Sequence, residues 1–340
     1  MNFSRLPNRI AAAAFVTVMA GAAQALTFDL VFASGTSAQA QAGFIAAANR
    51  WSALFNDNVT IRLDVGTQSM GSGVLGFASP NTSVKSYTDV RGALVADRKS
   101  ADDFSSAGTL GGGSTFSALT NRFSNNPAGA GSLTTFTTNL QFMELNTANQ
   151  KVLGIYTGSS AAFDAQIRFN SNFNFDFDPT NGISGGQYDF VGVATHEIGH
   201  ALGFVSGVDY VDSNVSSGHT STQFAWASTL DLFRYSASGV RHLGAGNTLK
   251  YFSVDGGATN AGAQYATGLN FGDGNQASHW KDNLGIGIFD PTGAPGELLN
   301  ISSFDIQALD VIGYDVVPEP ATLAALGIGV ATLLRRRRKA

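Results

Sequence analysis

His196 and His200 stand four residues apart around Glu197, within Thr195–Phe204 (THEIGHALGF). On a helix that spacing is about one turn, so both imidazoles project from the same face. They can then share one zinc ion at about 2.0–2.1 Å each. Glu197 lies between them, where a carboxylate can take a proton from a zinc-activated water and later deliver it to a leaving amine. Zinc lowers the pKa of such a water to about 7, so hydroxide is available at neutral pH. The competing reading is two surface histidines on an ordinary helix. With five histidines in 340 residues, a chance pairing at this spacing is rare.

Tyr188–Phe204 reads as the helix that carries the pair, with Asp189 as its N-cap. Gly199 and Ala201 keep that helix slim, and Gly203 can end it in a left-handed conformation. A catalytic zinc needs a third protein ligand and one open position. The chain has no cysteine, so the donors must be histidines and carboxylates. A compact pattern with the third histidine six residues after the second requires one at position 206, and Ser206 stands there. A glutamate on a following helix, as in thermolysin-like enzymes, is disfavoured because no Glu occurs between Glu197 and Glu297. Asp209 and Asp212 lie nearer, and the remaining histidines are His219, His242 and His279. The residues alone leave the choice open.

The string His196–Phe204 resembles the zinc helix of leishmanolysin-like metzincins, in which a long insertion precedes the third histidine. Ser278-His279-Trp280 looks like that family's third-ligand motif, and Asp305–Tyr314 (DIQALDVIGY) is similar to its terminal helix. The resemblance implies zinc as cofactor, His196, His200 and His279 as its ligands, and Glu197 as general acid/base. It implies an α+β, metzincin-like two-lobed fold. A twisted mixed sheet and the zinc helix would form an N-terminal lobe over 26–203, and a loop-rich lobe over 204–317 would end in a helix. One departure stands out. Metzincins place a methionine turn beneath the zinc, but the four methionines here are Met1, Met19, Met70 and Met143. Ile288–Thr292 occupies the turn, with Phe289 where methionine is expected, so a different apolar side chain would have to orient the ligands.

The elements that must hold these residues are legible in part. Ala38–Phe55 has helical composition and spacing, and Val59–Val65 alternates as a strand. Lys151–Tyr156 and Ala162–Phe169 read as further strands, whereas Gly71–Ser79 and Leu110–Ser117 read as Gly/Ser-rich loops. Val205–Asn270 is rich in glycine and serine, and Ser302–Tyr314 forms an amphipathic helix capped by Ser302 or Ser303. Asp176 and Asp178, in Asn172–Thr180, offer oxygens of the kind calcium uses. No full calcium-loop pattern accompanies them, and a solvated turn before Pro179 is the favoured reading.

Both ends carry processing signals. Arg5 and Arg9, an apolar run over Ile10–Ala20 and Ala23-Gln24-Ala25 make residues 1–25 a signal peptide for signal peptidase. Residues 318–340 combine Pro318-Glu319-Pro320, an apolar run over Ala321–Leu334 and the basic cluster Arg335–Lys339. Fourteen apolar residues fall short of the ~20 of a permanent span, and the basic cluster would halt export at the membrane. This tail resembles the PEP-CTERM sorting signal of Gram-negative bacteria. The resemblance implies an exosortase-type partner, transient membrane contact, and residence at the cell surface or outside the cell. A plain tail anchor is the alternative. Net charge is −5 with no basic patch in the body, which gives a nucleic-acid partner no support.

The sequence thus predicts a secreted or surface-sorted zinc metalloendopeptidase acting on protein or peptide. The peptide would lie between the two lobes, along a sheet edge near Ala165–Phe169. The competing class is a non-catalytic surface or biofilm-matrix protein with a degenerate zinc site. Glu197 favours the enzyme, because a structural zinc needs no base that does not ligate it.

Overall fold

The computed structural model describes residues 25–121, 133–215 and 225–318. The expected signal peptide apart from Ala25, His219, and the tail after Pro318 lie outside the described residues.

β1 (Thr27–Phe32) leads into α1 (Ala38–Ser52), whose N-cap Ser37 accepts the Ala40 N–H through its hydroxyl at 3.2 Å. In β2 (Thr60–Gln68), Ile61, Leu63 and Val65 are fully buried, whereas Arg62 and Asp64 point to the other face. Then come β3 (Gly76–Pro80), β4 (Thr82–Ser86), α2 (Tyr87–Asp97), α3 (Ala101–Gly108), β5 (Phe116–Asn121), β6 (Thr135–Leu140), β7 (Phe142–Asn146) and α4 (Thr147–Val152). The chain returns through β8 (Ala165–Asn170), and β9 (Phe175–Asp176) pairs with β10 (Tyr188–Asp189) just before α5 (Phe190–Leu202). Among the described residues the main sheet has the order β1-β2-β8-β3, with the first three parallel and β3 antiparallel. β4 pairs with β7 and β5 with β6.

α1 and α5 pack side by side on the sheet. Phe44, Phe169 and Phe190 meet edge to face or tilted at 4.7–5.0 Å. Gly43 permits this approach, since a Cβ there would lie 2.3 Å from the Phe190 ring. After α5 come α6 (Val208–Asn214), β11 (Arg234–Ala237), β12 (Val240–Arg241), β13 (Tyr251–Phe252) and α7 (Ser303–Asp310). Most of the chain between them is irregular, and α7 carries a capping box formed by Ser302 and Asp305.

Three sequence expectations change. Gly71–Ser79 is not a loop throughout, because residues from Gly76 onward form β3. The Asn170 side chain makes this turn, donating to the carbonyls of Gly71 and Val74 at 2.9 and 3.0 Å. Lys151–Tyr156 is not a strand but the end of α4 and a turn through Gly154, which has φ +68°. The strand at Ala165–Phe169 exists, yet it is interior, and β3 is the edge beside it. Smaller shifts occur at Leu110–Ser117, whose last two residues belong to β5, and at the ends of α1 and α7.

The end of the described chain is tied to α2 and α3 by a carboxylate-rich seam. The Lys99 ammonium pairs with Asp315, Ser100 donates to Asp310 at 2.6 Å, and Gln307 donates to Asp102 at 2.8 Å. Burial first, and neighbouring carboxylates second, push Asp57 up to about 6 and Asp97 up to about 7. A carboxyl with a raised folded-state pKa stabilises below its unfolded value, and that contribution is lost as pH rises through the folded one. Asp97→Asn is therefore expected to stabilise the protein at about pH 8 by roughly 1–2 kcal/mol, allowing for partial exposure, and to change little near about pH 4. Urea unfolding at the two pH values checks this, and equal effects at both would refute it.

Candidate metal centre

The helix that presents the two histidines is fixed at both ends. At its start, the Asp189 carboxylate accepts the Gly192 N–H at 2.7 Å and the Leu299 N–H at 3.1 Å. At its end, Gly203 takes φ +130°. The last carbonyls find buried donors: Asn146 donates to His200 at 2.7 Å, and the Tyr314 hydroxyl donates to Leu202 at 2.7 Å. Midway, the Trp51 indole donates to the Thr195 carbonyl at 2.9 Å.

On this helix His196 and His200 meet His279, which arrives from 79 residues beyond His200. The three Nε2 atoms lie 2.9, 3.2 and 3.2 Å apart. Each Nδ1 faces a carbonyl: Ile288 at 2.7 Å for His196, Phe204 at 2.6 Å for His200 and Gln276 at 3.2 Å for His279. A carbonyl only accepts, so each Nδ1 carries the hydrogen and each Nε2 turns a lone pair toward the other two. Burial pushes His196 down to about 4 and His279 down to about 3, and holds His200 well below its ordinary value. Neutral rings with three converging lone pairs repel one another unless a cation lies between them. At zinc–nitrogen distances of about 2.0–2.1 Å, these separations correspond to angles of roughly 90–105°, close to three corners of a tetrahedron. The donor set fits a zinc-type ion.

Among the described residues this is the one His/Asp/Glu group gathered closely enough to hold a metal. Asp209 and Asp212 are not in it, and both carboxylates are engaged by backbone N–H groups. Asp209 accepts the N–H groups of Ala277 and Ser278 at 2.6 and 3.1 Å, together with the Ser278 hydroxyl, and so clamps the loop that delivers His279. Asp212 accepts the N–H groups of Asn270 and Phe271 at 2.6 and 2.9 Å. Ser206, where a compact motif would need histidine, donates its N–H to the Ser278 hydroxyl at 2.8 Å and its own hydroxyl to Asp231 at 2.6 Å. His242 is buried elsewhere, its Nδ1 accepting from the Gly244 N–H at 3.3 Å. Asp176 and Asp178 cap their own turn, accepting backbone N–H groups of Asp178, Ser184 and Thr180 at 2.9–3.1 Å.

Phe289 lies under the histidines. Its ring stacks on Phe204 at 3.7 Å and sits 5.9 and 5.6 Å from the rings of His196 and His200. Gly199 makes room for it, since a Cβ there would lie 2.4 Å from the Phe289 ring.

Glu197 opens with the triad onto a cleft of about 530 Å³ that runs along β3 and is walled by Tyr188, Val193, Asp290 and Thr292. Burial pushes its carboxyl up to about 8, and the Ala78 N–H of the edge strand opposes that rise. Sequence reasoning had no signal for the Asp209 clamp or for Ala78. Both depend on contacts between segments far apart in the chain.

Comparison with known proteins finds the PEP-CTERM protein-sorting motif at residues 316–339. No curated protein and no solved structure matches the chain. The motif marks a protein exported and sorted to the cell surface of Gram-negative bacteria, and it implies processing by an exosortase-type enzyme. Its match starts two residues before the Pro318 boundary read from the sequence. No helix among the described residues is long and apolar enough to cross a membrane.

Replacing His279 by Ala removes one of three donors. Zinc affinity, measured by chelator competition, should fall by at least about 100-fold, a loss larger than outer partners of a metal site usually cause. His242→Ala should leave it unchanged.

Proposed function

We propose that this chain is a surface-sorted zinc metalloendopeptidase with a leishmanolysin-like, metzincin-type site. The observation that carries the reading is the convergence of three neutral imidazole nitrogens, with the non-ligating Glu197 beside them, at the floor of an open cleft. His196, His200 and His279 would hold the ion, and Phe289 would serve as the floor in place of the usual methionine. When bound, zinc supplies Lewis acidity and acidifies a water.

The remaining work falls to the chain's own groups. Among the described residues β3 is the sheet edge that runs along the cleft, and an extended peptide can add to it as a further strand. Pairing of that kind reads backbone rather than side chains, which suits a protein or peptide substrate. Glu197 takes a proton from the attacking water as the new C–O bond forms, and gives it to the leaving nitrogen as the C–N bond breaks. Its buried setting favours the protonated form, so it is poised to donate in the second half of that exchange. With an ion held by the triad, the Glu197 carboxyl would lie nearer the ionised form that the first half needs.

Glu197→Gln keeps the shape of the side chain and removes the proton shuttle. Cleavage of an unstructured protein such as casein by the purified chain should fall by roughly 10²–10⁴-fold, with zinc stoichiometry unchanged. Undiminished cleavage would sink the mechanism. Normal zinc binding with no cleavage of any substrate tested would favour a non-catalytic surface protein instead.

A further inference from the structure

Asp305 lies on α7, outside the cleft, and is fully buried. One carboxylate oxygen accepts the Trp280 indole N–H at 2.7 Å. The other accepts the N–H groups of Ile288 at 2.8 Å and Ser302 at 2.6 Å. Trp280 follows His279 in the chain, and its own N–H donates to the Phe289 carbonyl at 2.9 Å. The carbonyl of Ile288 accepts from His196 Nδ1. One carboxylate therefore joins the loop that delivers the third histidine, the turn that forms the floor, and the carbonyl that orients the first histidine.

Gly287 shows how closely this is built. A Cβ there would lie 2.1 Å from the Asp305 carboxylate and 2.4 Å from the Ser302 hydroxyl. Helix capping alone accounts for only part of the arrangement. The capping box needs the Ser302 N–H and hydroxyl, whereas the Trp280 and Ile288 bonds lead away from α7 toward two separate histidines.

We propose that Asp305 is a positioning residue for the metal centre, setting His196 through Ile288 and His279 through Trp280. This rests on the reading of the triad as a metal site, but not on peptidase activity. A group hydrogen-bonded directly to a metal ligand typically changes affinity by about 10–100-fold when lost, and Asp305 stands one hydrogen bond further out, so the lower end of that range applies.

The test uses the full chain with Zn²⁺ and Co²⁺ as probes. Asp305→Asn should weaken Zn²⁺ binding by about 10-fold and alter the visible absorption of bound Co²⁺, since the ligand geometry changes. Ser302→Ala removes the hydroxyl half of the capping box and leaves the bonds to Trp280 and Ile288. It should lower stability while leaving affinity and the Co²⁺ spectrum as in the wild type. Equal loss of affinity in both variants, or an unchanged spectrum in Asp305→Asn, would overturn the proposal and reduce Asp305 to a helix cap. If Asp305→Asn does not fold, Trp280→Phe decides: it cuts one arm only, and an unchanged Co²⁺ spectrum there would also overturn the proposal. A wild-type chain that binds neither ion would sink the metal reading and this inference with it. Metal binding without proteolysis would leave this inference standing and sink only the peptidase.

Discussion

Three imidazole lone pairs directed at one point, 2.9–3.2 Å apart, form an arrangement that a protein does not hold without cause. Each ring must be neutral and oriented by its other nitrogen, and both conditions are met separately. Burial keeps the protons off, while carbonyls of Ile288, Phe204 and Gln276 fix the tautomers. The rest of the fold can be read as what it takes to satisfy those conditions at once. α1 presses α5 against the sheet, Trp51 and Asn146 hold the helix in place, and Phe289 closes the space beneath.

The segment after α5 faces a harder problem, because it has little regular hydrogen bonding and no disulfide to staple it. A buried backbone N–H without a partner is costly, so long irregular loops need acceptors from elsewhere. Buried aspartates supply them. Asp209 takes the loop before His279, Asp231 takes the turn at Gly207 and Ser228, and Asp305 takes the floor turn. Hydrogen bonds to a charged acceptor contribute about 1.5–3 kcal/mol each, which offsets much of the cost of burying the carboxylate. The clamps also fix geometry at the centre, so stability and site shape come from the same residues.

The export signal and the site meet in one logic. Val316 bridges to Phe55 and Val317 donates to the Leu54 carbonyl at 2.8 Å, which anchors the chain just as the sorting motif begins. The body is thereby closed where the sorting motif begins, and the cleft beside β3 stays at a distance in sequence from that motif. A carboxylate-rich seam around Lys99 adjoins this closure, and burial holds Asp57 and Asp97 above the usual carboxylate range.

The sequence alone determined the helix that carries His196 and His200, its Asp189 cap and its Gly203 stop, because those depend on neighbours within a turn or two. It also determined the sorting tail, whose signal lies in composition and order. β2 and β8 were legible for the same local reason, the two-residue alternation of a half-buried strand. β3 was not, since a Gly-rich stretch has little hydrophobic period and its strand form comes from pairing with β8 and from Asn170. The choice among Asp209, Asp212 and His279 was equally out of reach of spacing. All three carry donor atoms, and which one meets His196 and His200 is decided by how the loops after α5 satisfy their buried N–H groups. Two carboxylates were used for that purpose, and the histidine was left to face the centre.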